Sequence, residues 1–167
     1  MGLFDLFGKQ EEKRQEEAEF NAYLEEHKAL DALERRYSSI DGKHFSLLES
    51  EGSLYSQLHK SGAWTSKNAS RLIKICLDDI AIADKMRDYW LEEKRIRHVG
   101  GNLPSYPAFE TLAKLYERQE RYAEAVQICK SAIALGYTDD GTKGGMRGRI
   151  ERLEKKMQVK SNAIAQK

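Results

Sequence analysis

Apolar residues recur every three or four positions along most of this chain, and the long polar stretches between them contain little glycine or proline. From Glu11 to Tyr37 the chain holds neither. Its first half, beginning Glu11-Glu-Lys-Arg-Gln-Glu-Glu, is polar on every side, while its second half sets Phe20, Tyr23, Leu24, His27, Leu30, Leu33 and Tyr37 at helical spacing. The pattern predicts one amphipathic helix of about 40 Å at 1.5 Å per residue, with His27 a half-buried packing residue on its stripe. Ser38–Lys43 reads as a connector turning at Asp41-Gly42. A second helix is predicted from Phe45 to Lys60, on Leu47, Leu48, Leu54, Tyr55 and Leu58, with Glu51 as a polar interruption and Gly52 costing about 1 kcal/mol relative to alanine. A third runs from Lys67 to Arg95, with Thr65 or Ser66 as N-cap. Its face of Leu72, Ile73, Cys76, Ile80, Ala83, Met86 and Trp90 is so broad that it belongs in the middle of a bundle. Gly100-Gly101 and Pro104 break the pattern between His98 and Tyr106. Three regions follow: a charged N-terminal helix (1–40), a bundle core (41–98) and a C-terminal unit (104–160).

In that last unit, Pro107–Gly136 reads as two helices joined by a tight turn near Gln119–Arg121. The first carries Phe109, Leu112, Ala113 and Tyr116. The second carries Tyr122, Ala125, Cys129, Ala132 and Ile133, and Gly136 follows as a left-handed helix stop. A final helix over Gly145–Gln158 has a narrow seam of Ile150, Leu153 and Met157, and Lys160–Lys167 is expected to fray. Ala113, Ala125 and Ala132 fall where two helices can approach closely. This spacing resembles the tetratricopeptide repeat over about 34 residues. Two positions depart from it: Cys129 stands where an aromatic is usual, and Tyr137 where proline is. One period upstream lie Asp78, Asp79 and Ile82, which do not repeat the pattern. A single repeat cannot bury both of its faces, so helices Lys67–Arg95 and Gly145–Gln158 are expected to cap it. The resemblance implies a groove lined by the first helix, on which Glu110, Lys114, Glu117 and Arg118 would meet a partner peptide. The alternative is a helical hairpin with coincidental alanine spacing.

Composition narrows the function classes. The 167 residues carry 28 Lys+Arg and 27 Asp+Glu, a net charge of +1, which argues against a dedicated nucleic-acid binder. The charge is unevenly placed: Met1–Glu34 has a net of −6 and Gly141–Lys167 a net of +6. Opposite ends can attract within one chain or between two, so self-association is one expectation. Two cysteines make no disulfide framework and have no zinc spacing. No apolar run is long enough to span a membrane. The stretch Met1–Phe7 is too short and wrongly flanked for a secretory signal, so a cytoplasmic protein is expected.

No catalytic constellation stands out. His27, His44, His59 and His98 are scattered, and Cys76 and Cys129 sit on apolar helix faces, where a thiol acts as a small hydrophobe. Asp78, Asp79 and Asp84 form an acidic group without the Glu-x-x-His pairs of di-iron bundles. Trp64 and Trp90 read as packing anchors. Five glycines between Gly136 and Gly148, with Lys143, Arg147 and Arg149 close by, could form an anion-binding nest, though tight reversal between packed helices explains them better. Leu3, Phe4, Leu6 and Phe7 form an apolar patch for docking on protein or, alternatively, on a membrane surface. The expectation is an all-α helical bundle with a long N-terminal helix, a tetratricopeptide-like helix–turn–helix and a capping helix. Its function is expected to be that of a non-enzymatic adaptor with a protein or peptide partner and no cofactor or metal.

Overall fold

The computed structural model describes residues 3–165, with side chains described from Gln10 to Ala163. The apolar patch of Leu3, Phe4, Leu6 and Phe7 lies outside those side chains. Six helices follow one another: α1 (Leu3–Ser61), α2 (Lys67–Ile80), α3 (Ala83–Ile96), α4 (Pro107–Arg118), α5 (Tyr122–Ala134) and α6 (Gly145–Ala165). The described residues contain no strand.

The connector expected at Ser38–Lys43 is absent: α1 runs unbroken through Asp41-Gly42 and across the expected 40/41 division. Its core-facing positions explain why. Leu30, Leu33, Tyr37, Ile40, His44, Leu47, Glu51, Leu54 and Leu58 are buried or half-buried, at alternating steps of three and four. That single stripe holds both halves of the helix against the body. One glycine without a proline costs only about 1 kcal/mol, less than the stripe gains by burial. The N-terminal part behaves otherwise. Every side chain from Gln10 to Glu25 is exposed, as is His27, which was expected to be half-buried. Its ring stacks on Tyr23 with centroids 4.0 Å apart, and its Nδ1 bonds the Tyr23 carbonyl.

The expected long helix Lys67–Arg95 is two helices, parted at Ala81-Ile82. Ser66 caps α2 through its side chain, as expected. Neither glycine nor proline marks the break; tertiary hydrogen bonds do. The Asp79 carbonyl would accept from residue 83 in a continuous helix. It accepts instead from the Ile82 N–H at 3.0 Å and the Tyr106 hydroxyl at 2.9 Å. The Tyr137 hydroxyl donates to the Ala83 carbonyl at 2.8 Å.

Helix α1 packs along α2 and α3, α2 on α4, α4 on α5, and α5 on α6. One continuous core runs from Leu54 of α1 to Leu153 of α6. Ala113, Ala125 and Ala132 are completely buried, together with Phe109, Leu112 and Cys129. The three-residue turn between α4 and α5 closes with the Arg121 N–H on the Tyr116 carbonyl at 2.8 Å. Gly136, with φ of +91°, ends α5, and the Tyr137 N–H reaches back to the Ala132 carbonyl at 2.9 Å. Trp64 and Trp90 pack half-buried on the core, as expected. No helix among the described residues is long and apolar enough to cross a membrane.

Candidate functional site

Three of the four side chains expected to meet a partner share one groove. Glu117 and Arg118 lie one turn after Lys114 on α4. With Tyr55 of α1, Glu120, Tyr122 of α5, and Arg149 and Lys156 of α6 they line an open groove of about 620 Å³. Glu110 lies one turn earlier, outside the groove, with its carboxylate paired to Lys114. Arg118 stands over the Trp64 ring, 5.6 Å from its centroid. Glu117 accepts from Lys156 at 2.6 Å and from Arg149 at 3.3 Å, so it ties α4 to α6.

Arg149 is the pivot of that tie. It is buried, and its Nε donates to Asp140 Oδ2 at 2.6 Å. The other Asp140 oxygen takes the Thr142 N–H at 3.0 Å and hydroxyl at 2.6 Å. Burial alone would raise the Asp140 carboxyl, but these hydrogen bonds from Thr142 and Arg149 hold it below its ordinary value. The glycine-rich loop is thus occupied by its own acid: Arg149 meets Asp140 and Glu117, and the Met146 N–H at the start of α6 is bonded to the Thr138 carbonyl. The glycines answer to close backbone approach. A Cβ on Gly145 would stand 2.3 Å from the Thr138 oxygen, and one on Gly148 2.7 Å from the Lys143 oxygen.

Next to this groove, and sharing Glu120, Tyr122 and Lys156 with it, lies a second of about 430 Å³. Tyr122, Val159 and Ala163 give it an apolar floor, and Lys155, Lys156 and Lys160 rim it. Lys160 pairs with Glu120 at 2.7 Å and lies over the Tyr122 ring, 5.7 Å from its centroid.

A polar cluster that the sequence did not reveal is buried between α1 and α2. His44 Nδ1 lies 2.8 Å from Asp79 Oδ1, which also accepts from the Tyr106 hydroxyl at 2.8 Å. Glu51, two turns after His44, is buried beside them. Asp79 Oδ2 and Glu51 Oε2 have no hydrogen-bond partner among the described residues. Desolvation pushes the Glu51 carboxyl up to about 7, against the opposing pull of Thr111. Neither groove described above is lined by any member of this cluster. Its signal was present in the sequence: His44 and Glu51 continue the three-and-four stripe through the supposed connector. Asp78 and Asp84 are exposed while Asp79 is buried, so the three acids do not converge. Among the described residues no three His, Cys, Asp or Glu side chains, the cluster of His44, Asp79 and Glu51 included, are placed so that they could hold a metal ion. Burial pushes the Cys129 thiol up to about 11 and the Cys76 thiol up as well, in keeping with their packing role.

No family model, curated protein or solved structure matches this chain.

Proposed function

We propose that this chain is a non-enzymatic protein-interaction module of tetratricopeptide-like type, which presents the α4–α6 groove to an acidic peptide or helix. One observation carries the reading. Lys114, Glu117 and Arg118, taken from the repeat-like spacing, line a single groove together with basic residues of α6. Packing supports it further. Ala113, Ala125 and Ala132 are fully buried, and Tyr137, in the place where the repeat has proline, is buried with its hydroxyl bonded across to α3. Four bases and two acids line the groove, with Lys114, Arg149 and Lys156 paired to Glu110, Asp140 and Glu117 and Arg118 set over Trp64, and Tyr55 and Tyr122 offer it flat apolar surface. Aromatic and arginine side chains are the usual anchors of interfaces, and charge complementarity sets the choice of partner. The buried acids and His44 line neither groove, which favours binding over catalysis.

Fluorescence anisotropy with labelled Glu-rich peptides containing one Phe or Leu tests this reading. Binding is expected to weaken with salt and to fall at least tenfold in the double variant Lys114→Glu/Arg118→Glu. Equal binding by wild type and variant, or a preference for basic peptides, would overturn it.

A further inference from the structure

One side of the N-terminal part of α1, from Glu19 to Glu26, lines a groove of about 570 Å³ with Arg95, Ile96 and His98 at the end of α3, and its other side, which carries Phe20 and Leu24, is exposed. Every side chain from Gln10 to Glu25 is exposed, and Phe20 and Tyr23 are 61% and 54% exposed. Glu11–Glu26 carries seven acids and two bases around the apolar group of Phe20, Tyr23 and Leu24. The α5–α6 groove is its chemical complement, with an apolar floor of Tyr122, Val159 and Ala163 inside a rim of three lysines and one acid, Glu120. Val159 is itself 69% exposed.

The arm cannot reach the groove of its own chain. Tyr55 lines the adjoining groove, and it lies thirty-two residues beyond Tyr23 on the same unbroken helix, about 48 Å away at 1.5 Å per residue. The attraction between the acidic start and the basic end can therefore be satisfied only between molecules.

We propose that a second copy of this chain seats the Glu16–Glu26 segment of its α1 on the α5–α6 groove, with Phe20 and Leu24 against Tyr122 and Val159. Glu16 and Glu17, one turn before Phe20, then face the lysine rim. This rests on reading the α4–α6 end as an interaction surface, and it names an occupant for it. The pairs Lys156–Glu117 and Lys160–Glu120 hold these lysines in the single chain. Exposed pairs of this kind contribute little to stability and exchange readily for the incoming carboxylates. Reciprocal seating about a two-fold axis closes the assembly as a dimer, whereas one-way seating would propagate into a filament.

Light scattering on the full chain tests this directly. A mass of twice the chain is expected at low salt. Phe20→Glu/Leu24→Glu is expected to raise the dimer Kd at least tenfold, and added salt to weaken the dimer as well. Position is read by mixing a Phe20→Cys chain with a Val159→Cys chain under a thiol cross-linker, since native Cys76 and Cys129 are buried. A mixed cross-linked dimer is expected. A monomer at all concentrations, or a dimer that joins Phe20→Cys only to itself, overturns the proposal. A monomer that still binds acidic peptides through Lys114 and Arg118 removes self-docking and leaves the interaction reading standing. Loss of both removes both.

Discussion

Arg149 and Glu51 are both charged-type residues sealed inside the helical body, but their surroundings answer them in opposite ways. Arg149 lies between Asp140 and Glu117, and Thr142 fills the remaining bonds to Asp140. Glu51 has Asp79 and His44 as neighbours, and one oxygen of each carboxyl finds no partner among the described residues. In the first cluster burial is outweighed and the Asp140 carboxyl is lowered; in the second burial wins and Glu51 rises to about 7. Both carboxyls are shut off from solvent, but Glu51 is the more heavily desolvated and receives the fewer hydrogen bonds and counter-charges, and the two differences act in the same direction.

The largest test of this contrast is to break the matched cluster. Arg149→Ala leaves Asp140 buried without its counter-charge, and urea denaturation at pH 7 should show a loss of about 3–5 kcal/mol. A loss below about 1 kcal/mol would mean that the pairing contributes little.

The unmatched cluster predicts a pH effect of the opposite sense. Glu51 binds its proton more tightly folded than unfolded, so the folded state holds more protons between its ordinary value of 4.5 and about 7. Its contribution is full below pH 4.5 and is lost as pH rises through 7, roughly 3 kcal/mol in all. Asp140 runs the other way: its stabilisation is present above its ordinary value of 3.8 and is lost as pH falls through its lowered one. Stability should therefore peak at mildly acid pH. Glu51→Gln should flatten the decline towards pH 8 and raise the melting temperature there; an unchanged pH profile would dispose of the argument.

Tyr106→Phe removes a donor shared by the Asp79 carbonyl and carboxylate. Thermal denaturation should show a loss of about 1–3 kcal/mol. The smallest effect concerns the helix that carries both His44 and Glu51. Gly42 lies in its middle with open space around its Cα, so Gly42→Ala should stabilise by up to about 1 kcal/mol. Destabilisation would restore the turn that the sequence suggested there.

That turn shows how local signals were outvoted. Asp41-Gly42 is a good turn dipeptide, but Ile40, His44 and Leu47 keep the three-and-four stripe in phase across it. Two of the stripe positions are polar, His44 and Glu51, which disguised its continuity. The α4–α5 hairpin was legible because apolar positions, small residues and the stop at Gly136 all agree within thirty residues. The groove was legible in part: Lys114, Glu117 and Arg118 were implied by the resemblance of α4 to the first helix of a repeat, whereas Tyr55 and Lys156 came from helices far away in sequence.

By itself the sequence determined that the chain is helical, where most helices end, and which faces of α4 and α5 meet, because periodicity and capping act over a few residues. The tertiary structure decided the unbroken course of α1, the break at Ala81-Ile82 and the company that each buried charge keeps. The first depends on burial of a stripe along the whole helix, and the others on hydrogen bonds that Tyr106 and Tyr137 donate to Asp79 and Ala83, partners 27 to 54 residues apart, whose energies become favourable only once folding has removed water from between them.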